Sequence, residues 1–303
     1  MPAAKENLQR VLGAFAQVGR VLSGRQIAGR NVTVFPDDVF LVSYPRSGNT
    51  WTRFLLGNLL WQDAPLTFSN IESRIPEIYF NPDRLMRQLQ RPRLLKSHEC
   101  FQPHYPRVIY IVRDPRDVAV SFYHHNVKAR NITDDYPMAS FVRRFIMGEF
   151  DRMFGSWRDN VLSWTALRKG TSGFLMLRYE DMKLDPGTAL AEVADFLERC
   201  SFQKIDTSPQ ALERAIKLSS PERMRSLEKK EANRWVLTRE TRADKPFVRT
   251  AIVGGWKSQL EPESVAAIEL AWGDLMQNLR YELASTRSIA PASESTESSL
   301  RGR

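Results

Sequence analysis

The sequence predicts a single α/β domain with a central, mostly parallel sheet flanked by helices. Three observations carry this. Short apolar runs at residues 39–42, 108–112 and 174–179 read as strands, and the first two lack any polar alternation. Such runs suit strands buried on both faces. Helical stretches follow at 50–61, 117–125 and 188–199. Strands that alternate with helices imply crossover connections, and crossovers make parallel sheets. At 303 residues with 42% hydrophobic side chains, the chain can bury one large core.

Taken in order, residues 1–30 read as a basic amphipathic helix. Leu8, Val11, Leu12, Phe15, Val18, Val21 and Leu22 recur at three- and four-residue spacing, which forms one apolar stripe. Lys5, Arg10, Arg20, Arg25 and Arg30 against Glu6 leave the helix cationic. It fits packing on its own domain or a partner chain, and also peripheral contact with a membrane surface. The main domain is expected at 31–285. Residues 286–303, rich in Ser, Thr, Glu and Arg, are expected to be a disordered tail.

No apolar run approaches the roughly 18 residues of a membrane span, and no secretory leader pattern opens the chain. The two cysteines, Cys100 and Cys200, read as reduced thiols in a cytoplasmic protein. The net charge of +9 calls for an anionic partner. Lys and Arg are interspersed with Asp and Glu rather than gathered in a block, so a pocket for a small, highly anionic ligand competes with a nucleic-acid surface.

The first strand leads into Ser43-Tyr44-Pro45-Arg46-Ser47-Gly48-Asn49-Thr50. Strand, tight turn and helix form a P-loop-like phosphate-binding loop: amide N–H groups and the helix dipole hold an anion. Compared with G-x-x-x-x-G-K-[ST], Gly48 and Thr50 fit, Ser43 replaces the first Gly and Asn49 replaces the Lys. The second strand ends in Arg113 rather than an Asp placed for Mg²⁺. A kinase or nucleotide hydrolase needs both missing parts, so it ranks as an alternative. A non-catalytic membrane- or nucleic-acid-binding protein is the other alternative. It would need a contiguous basic stripe with interleaved aromatics.

With Trp51 added, this loop resembles the 5′-phosphosulfate loop of the cytosolic-type sulfotransferases, which use 3′-phosphoadenosine 5′-phosphosulfate (PAPS). The family's usual pattern is Tyr-Pro-Lys-Ser-Gly-Thr-Thr-Trp; Arg46 stands for the Lys and Asn49 for the first Thr. Arg113 and Ser121, eight residues apart, resemble the family's 3′-phosphate pair. Arg249, Gly254, Trp256 and Lys257 resemble its C-terminal phosphate clamp, while Thr250 and Ala251 stand where the family has Lys and Gly. Tyr179 and Trp51 match aromatics near the adenine, and Ser219 falls near a family Thr. Leu94-Leu95-Lys96-Ser97-His98 resembles Leu-Leu-Lys-Thr-His.

The resemblance implies sulfuryl transfer from PAPS to a hydroxyl or amine of a small-molecule acceptor, with no metal and no nucleic acid. His98 would be the general base, with Lys96 and Arg46 stabilising charge. The PAPS contacts would come from Arg46, Ser47, Gly48, Asn49, Thr50, Trp51, Arg113, Ser121, Tyr179, Ser219, Arg249 and Gly254. An acceptor alcohol needs a base to take its proton, and a histidine titrates in the useful range. Loops near 62–92, 126–150 and 226–246 are expected to form the acceptor pocket. Phe80, Phe141, Phe145 and Trp235 are candidates for its lining or for the core.

Overall fold

The computed structural model describes residues 27–284. Of the helix expected over residues 1–30, residues 1–26 lie outside the described residues, as does the tail expected at 286–303. At 27–31, where that helix was expected to end, Ile27 bridges to Pro82 and a 3-10 turn spans Gly29–Asn31.

Four strands form one parallel sheet in the order β2-β1-β3-β4. They are β1 (Val39–Ser43), β2 (Leu94–Ser97), β3 (Arg107–Val112) and β4 (Phe174–Arg178). Every residue of β1 and β2 is buried. Period-two geometry sorts the side chains. Phe40, Val42, Val108, Tyr110 and Val112 join one core, and Val39, Leu41, Ile109, Ile111 and Leu177 join the core on the opposite face. A third cluster packs Phe54 and Phe68 against Trp235 and Phe247.

Helix α1 (Asn49–Leu60) follows β1. Single turns α2 (Ile71–Arg74) and α3 (Asp83–Met86) lie on the way to β2. After β3 come α4 (Pro115–Lys128), α5 (Met138–Ile146) and α6 (Trp157–Arg168). After β4 come α7 (Tyr179–Leu184), α8 (Pro186–Arg199), α9 (Pro209–Leu218), α10 (Pro221–Glu231) and α11 (Pro262–Asn278). Asp114 caps α4 through the Arg116 N–H, and Ser156 and Asp159 form a reciprocal capping box on α6.

From β1 the chain runs out to edge strand β2, crosses back to β3 and continues to β4. The connections leaving β1 and β3 therefore diverge, which opens a crevice at the carboxyl ends of these adjacent strands. The segment at 76–78 covers the free edge of β2: Lys96 N–H donates to the Pro76 carbonyl (2.8 Å) and Ile78 N–H to the Lys96 carbonyl (3.1 Å).

Candidate active site

Each strand delivers a polar group at its carboxyl end. The phosphate-type loop follows β1, His98 follows β2, Arg113 follows β3 and Tyr179 follows β4. These groups line one cavity of about 270 Å³.

The loop turns sharply. Arg46 sits at φ 68° and Gly48 at φ 100°, both in the left-handed region. A Cβ on Gly48 would come within 2.4 Å of the Tyr179 ring, so only glycine lets that ring close over the start of α1. Asn49 donates to the Leu41 carbonyl (3.3 Å) and the Ser43 hydroxyl (3.2 Å), tying the first turn of α1 to β1. Pro45, Asn49, Thr50 and Trp51 line the cavity with Gly48. Ser47 is fully buried within the loop, and its hydroxyl has no partner.

Three guanidinium groups meet here. Arg46 donates to the Ser121 hydroxyl (3.2 Å) and lies over the Phe247 ring (4.8 Å). Arg113 donates to the Arg46 carbonyl (3.3 Å) and stacks on Tyr179 (4.3 Å). Arg249 is held by Gln259 (3.1 Å). Burial, then Arg113 and Arg249, push Arg46 down to about 10; burial, then Arg113, push Arg249 down to about 10. Both stay charged at neutral pH, and their mutual repulsion makes the cavity a strong anion site. Asp117 fixes the clamp by accepting the N–H groups of Gly254 (2.8 Å) and Trp256 (2.9 Å).

His98 has a defined tautomer. Its Nδ1 lies 2.6 Å from the Ser43 carbonyl, which can only accept, so Nδ1 carries the proton and Nε2 keeps a lone pair. Burial, then the charge of Lys96, holds the imidazole well below its usual range, against the opposing hydrogen bond to Ser43. Lys96 lines the same cavity, and its ammonium is paired with the buried Glu77.

Of the sequence-read residues, Ser219, Ser47, Gly254, Trp256 and Lys257 are not in the cavity wall. The Ser219 hydroxyl is buried between Asn58 (3.0 Å) and the Ala215 carbonyl (2.7 Å), while its own carbonyl accepts the Trp51 indole N–H (3.1 Å). Gly254, at φ 73°, contributes the N–H that Asp117 holds. Phe141, Phe145 and Trp235 are core residues, and Phe80 does not reach the wall. The apolar wall comes instead from Phe122, Phe154, Leu237 and Phe247, with Asp151, Glu77 and His125 as polar members. Isolated loop residues such as Asp151 and Phe154 carry no periodic signal. Phe247 lies two residues before Arg249 and reaches the wall from the same segment.

The site can therefore hold a polyanion against three arginines and a helix N-terminus, beside a neutral imidazole with a free nitrogen. A family model described as the sulfotransferase domain matches residues 36–280. The chain belongs to the sulfotransferase family. It is thus an enzyme of sulfuryl transfer. Among similar proteins, cytosolic sulfotransferase 5 of Arabidopsis thaliana is 30% identical over 269 residues, covering 80% of each chain. Sulfotransferase 1E1 of Rattus norvegicus is 28% identical over 249 residues, 76% of this chain and 80% of its own. The mouse sulfotransferase SULT7A1, solved in complex with PAP, superposes with a TM-score of 0.65 at 26% identity, over 83% of this chain and 87% of its own. Retinol dehydratase superposes at 0.67 with 20% identity, over 88% and 87%, which speaks to the fold. No described helix is long and apolar enough to cross a membrane.

Proposed function

We propose that this sulfotransferase moves a sulfuryl group from PAPS to a hydroxyl or amine of a small-molecule acceptor, with His98 as general base. One observation carries the reading: the Arg46–Arg113–Arg249 cluster and the His98 imidazole share one cavity at the start of α1. PAP in the complex of the similar mouse enzyme supports the donor class.

The acceptor oxygen attacks sulfur in line with the bridging oxygen of the donor. An S–O bond forms to the acceptor, the bridging S–O bond breaks, and its electron pair stays on the 5′-phosphate of PAP. The acceptor proton passes to His98 Nε2. Catalysis of this kind rests on positioning and on charge placed where charge develops. The loop amides and Arg46 would hold the 5′-phosphate, with Arg46 acting purely as charge because a guanidinium does not release its proton at neutral pH. Lys96 would stabilise the transferring group. Arg113, Ser121 and Arg249 would hold the 3′-phosphate, while Trp51 and Tyr179, packed edge to face at 5.6 Å, would flank the adenine. Ser219 would act through Trp51, and Gly254 through the clamp backbone.

The test is transfer of radiolabelled sulfate from PAPS to a panel of phenols, alcohols and amines. His98→Ala should cost on the order of 10²–10⁴ in kcat, with PAP binding kept. Full activity of His98→Ala would overturn the assignment of the base.

A further inference from the structure

Residues 247–252 form one side of the cavity, yet no described residue from 232 to 254 belongs to a helix or strand. Side chains hold this backbone instead, and one buried pair makes four of the contacts. Glu228, on α10, accepts the Phe247 N–H (2.6 Å) on one carboxylate oxygen and the Val248 N–H (2.9 Å) on the other. Lys128, the last residue of α4, donates to the carbonyls of Arg242 (2.9 Å) and Lys245 (2.6 Å). The two charges lie 3.7 Å apart, and both residues are buried. Neither lines the cavity.

The pair reaches the donor site through what it holds. The Phe247 ring supports the Arg46 guanidinium (4.8 Å). Two residues on, the Arg249 carbonyl is held by Arg225 (2.8 Å) and its guanidinium by Gln259 (3.1 Å). The pair thus ties the segment that bears Arg249 to α4, the helix that bears Asp117 and Ser121. Neutral substitutes do not reproduce it. A glutamine has one carbonyl oxygen for two N–H groups, and its amide turns a donor toward one of them. Removing the lysine leaves two carbonyls short of a donor and a buried carboxylate short of its cation, which is costly.

We propose that Lys128 and Glu228 are positioning residues for the donor: their pairing sets residues 242–249 so that Arg249 and the ring beneath Arg46 face the phosphates of PAPS. This rests on the sulfuryl-transfer reading above. Neither residue touches the reacting atoms. Their loss weakens donor binding in the ground state and the transition state alike, so it shows in donor affinity and not in turnover at saturating donor.

The experiment measures PAP binding by calorimetry, PAPS kinetics with the best acceptor of the panel, and hydrogen exchange. It compares Glu228→Gln, Lys128→Met, Lys128→Arg and the Lys128→Met/Glu228→Gln double variant with the parent and with Arg113→Ala. Glu228→Gln and Lys128→Met should each weaken PAP binding and raise the KM for PAPS about tenfold, with kcat kept within about threefold. The double variant should fall within about twofold of the poorer single one, because the pair acts as a unit. Lys128→Arg keeps the charge and the donors, and should bind PAP more tightly than Lys128→Met. Amides of 242–249 should exchange faster than in the parent while those of β1 and β3 stay protected, which also shows that a variant is folded. If Glu228→Gln does not fold, the two Lys128 variants carry the test. Folded variants that bind PAP as the parent does, or that lose kcat with the PAPS KM unchanged, would overturn the positioning role; weakened binding by Arg113→Ala in the same series would leave the donor reading standing. A parent that binds no PAP would overturn the donor reading and the positioning role with it.

Discussion

His98 is the residue where geometry and acidity agree most closely. Its Nδ1–H is committed to the Ser43 carbonyl at 2.6 Å, and burial holds the ring neutral well below its usual range. A base must be unprotonated to act, so its lowered value keeps it competent as pH falls past 6.5. The acid limb of kcat/KM should therefore lie below pH 6.5; a limb at or above that value would contradict the assigned environment. Arg46 raises a separate question of charge against shape. Its fork spans the Ser121 hydroxyl and the Phe247 ring. Arg46→Met should lower kcat by about 10²–10³, while Arg46→Lys should hold it within about tenfold, because charge at the leaving oxygen carries the effect. Equal rates for the two variants would remove Arg46 from that role.

At the scale of elements, the clamp at 249–257 shows most clearly how local sequence and function meet. Asp117, in the first turn of α4, holds it through two backbone N–H groups. Ala251 sits at φ 54°, a conformation that suits the glycine the family carries there. Thr250, where the family has Lys, lines the cavity with one positive charge fewer. Thr250→Lys should tighten PAP binding two- to fivefold at low salt and less at high salt, as expected of a rim charge; unchanged affinity at low salt would show that the position does not face the phosphate. Strands β1, β3 and β4 and the cofactor loop are legible because the strands are apolar runs and the loop motifs are contiguous; β2, four residues that include Lys96 and Ser97, carries no such run. The acceptor wall was not legible. Phe141 and Phe145 lie on α5, which packs toward α11 through Phe145 and Trp272 (5.4 Å), and no local pattern says which aromatics turn inward to a core or to a cavity. Glu77 and Asp151 reach the site only through the path of their loops around β2 and before α6.

Across the whole molecule, the positive balance has a local use. Arg46, Arg113 and Arg249 converge on one cavity, so a polyanion should stabilise the fold by binding the native state alone. The histidines of the cavity work the other way in acid. His125, pushed down to about 3 by burial, then by Arg46 and Lys128, is neutral in the fold and would be protonated in the unfolded chain below pH 6.5. The unfolded state then binds more protons, so stability is present above about 6.5 and is lost as pH falls toward 3. His125→Gln should recover on the order of 2 kcal/mol of the loss between pH 7 and pH 4, measured by urea unfolding at both values. A variant as acid-sensitive as the parent would show that this imidazole is not the group responsible.

The most direct measurement is calorimetric titration with 3′-phosphoadenosine 5′-phosphate, with ADP and Mg²⁺ as the control. The arginine cluster predicts tight, salt-sensitive binding of the bisphosphate, weakened about 10- to 100-fold by Arg113→Ala, and little response to ADP with Mg²⁺. No binding of the bisphosphate, or tight binding of ADP with Mg²⁺ in its place, would contradict the account.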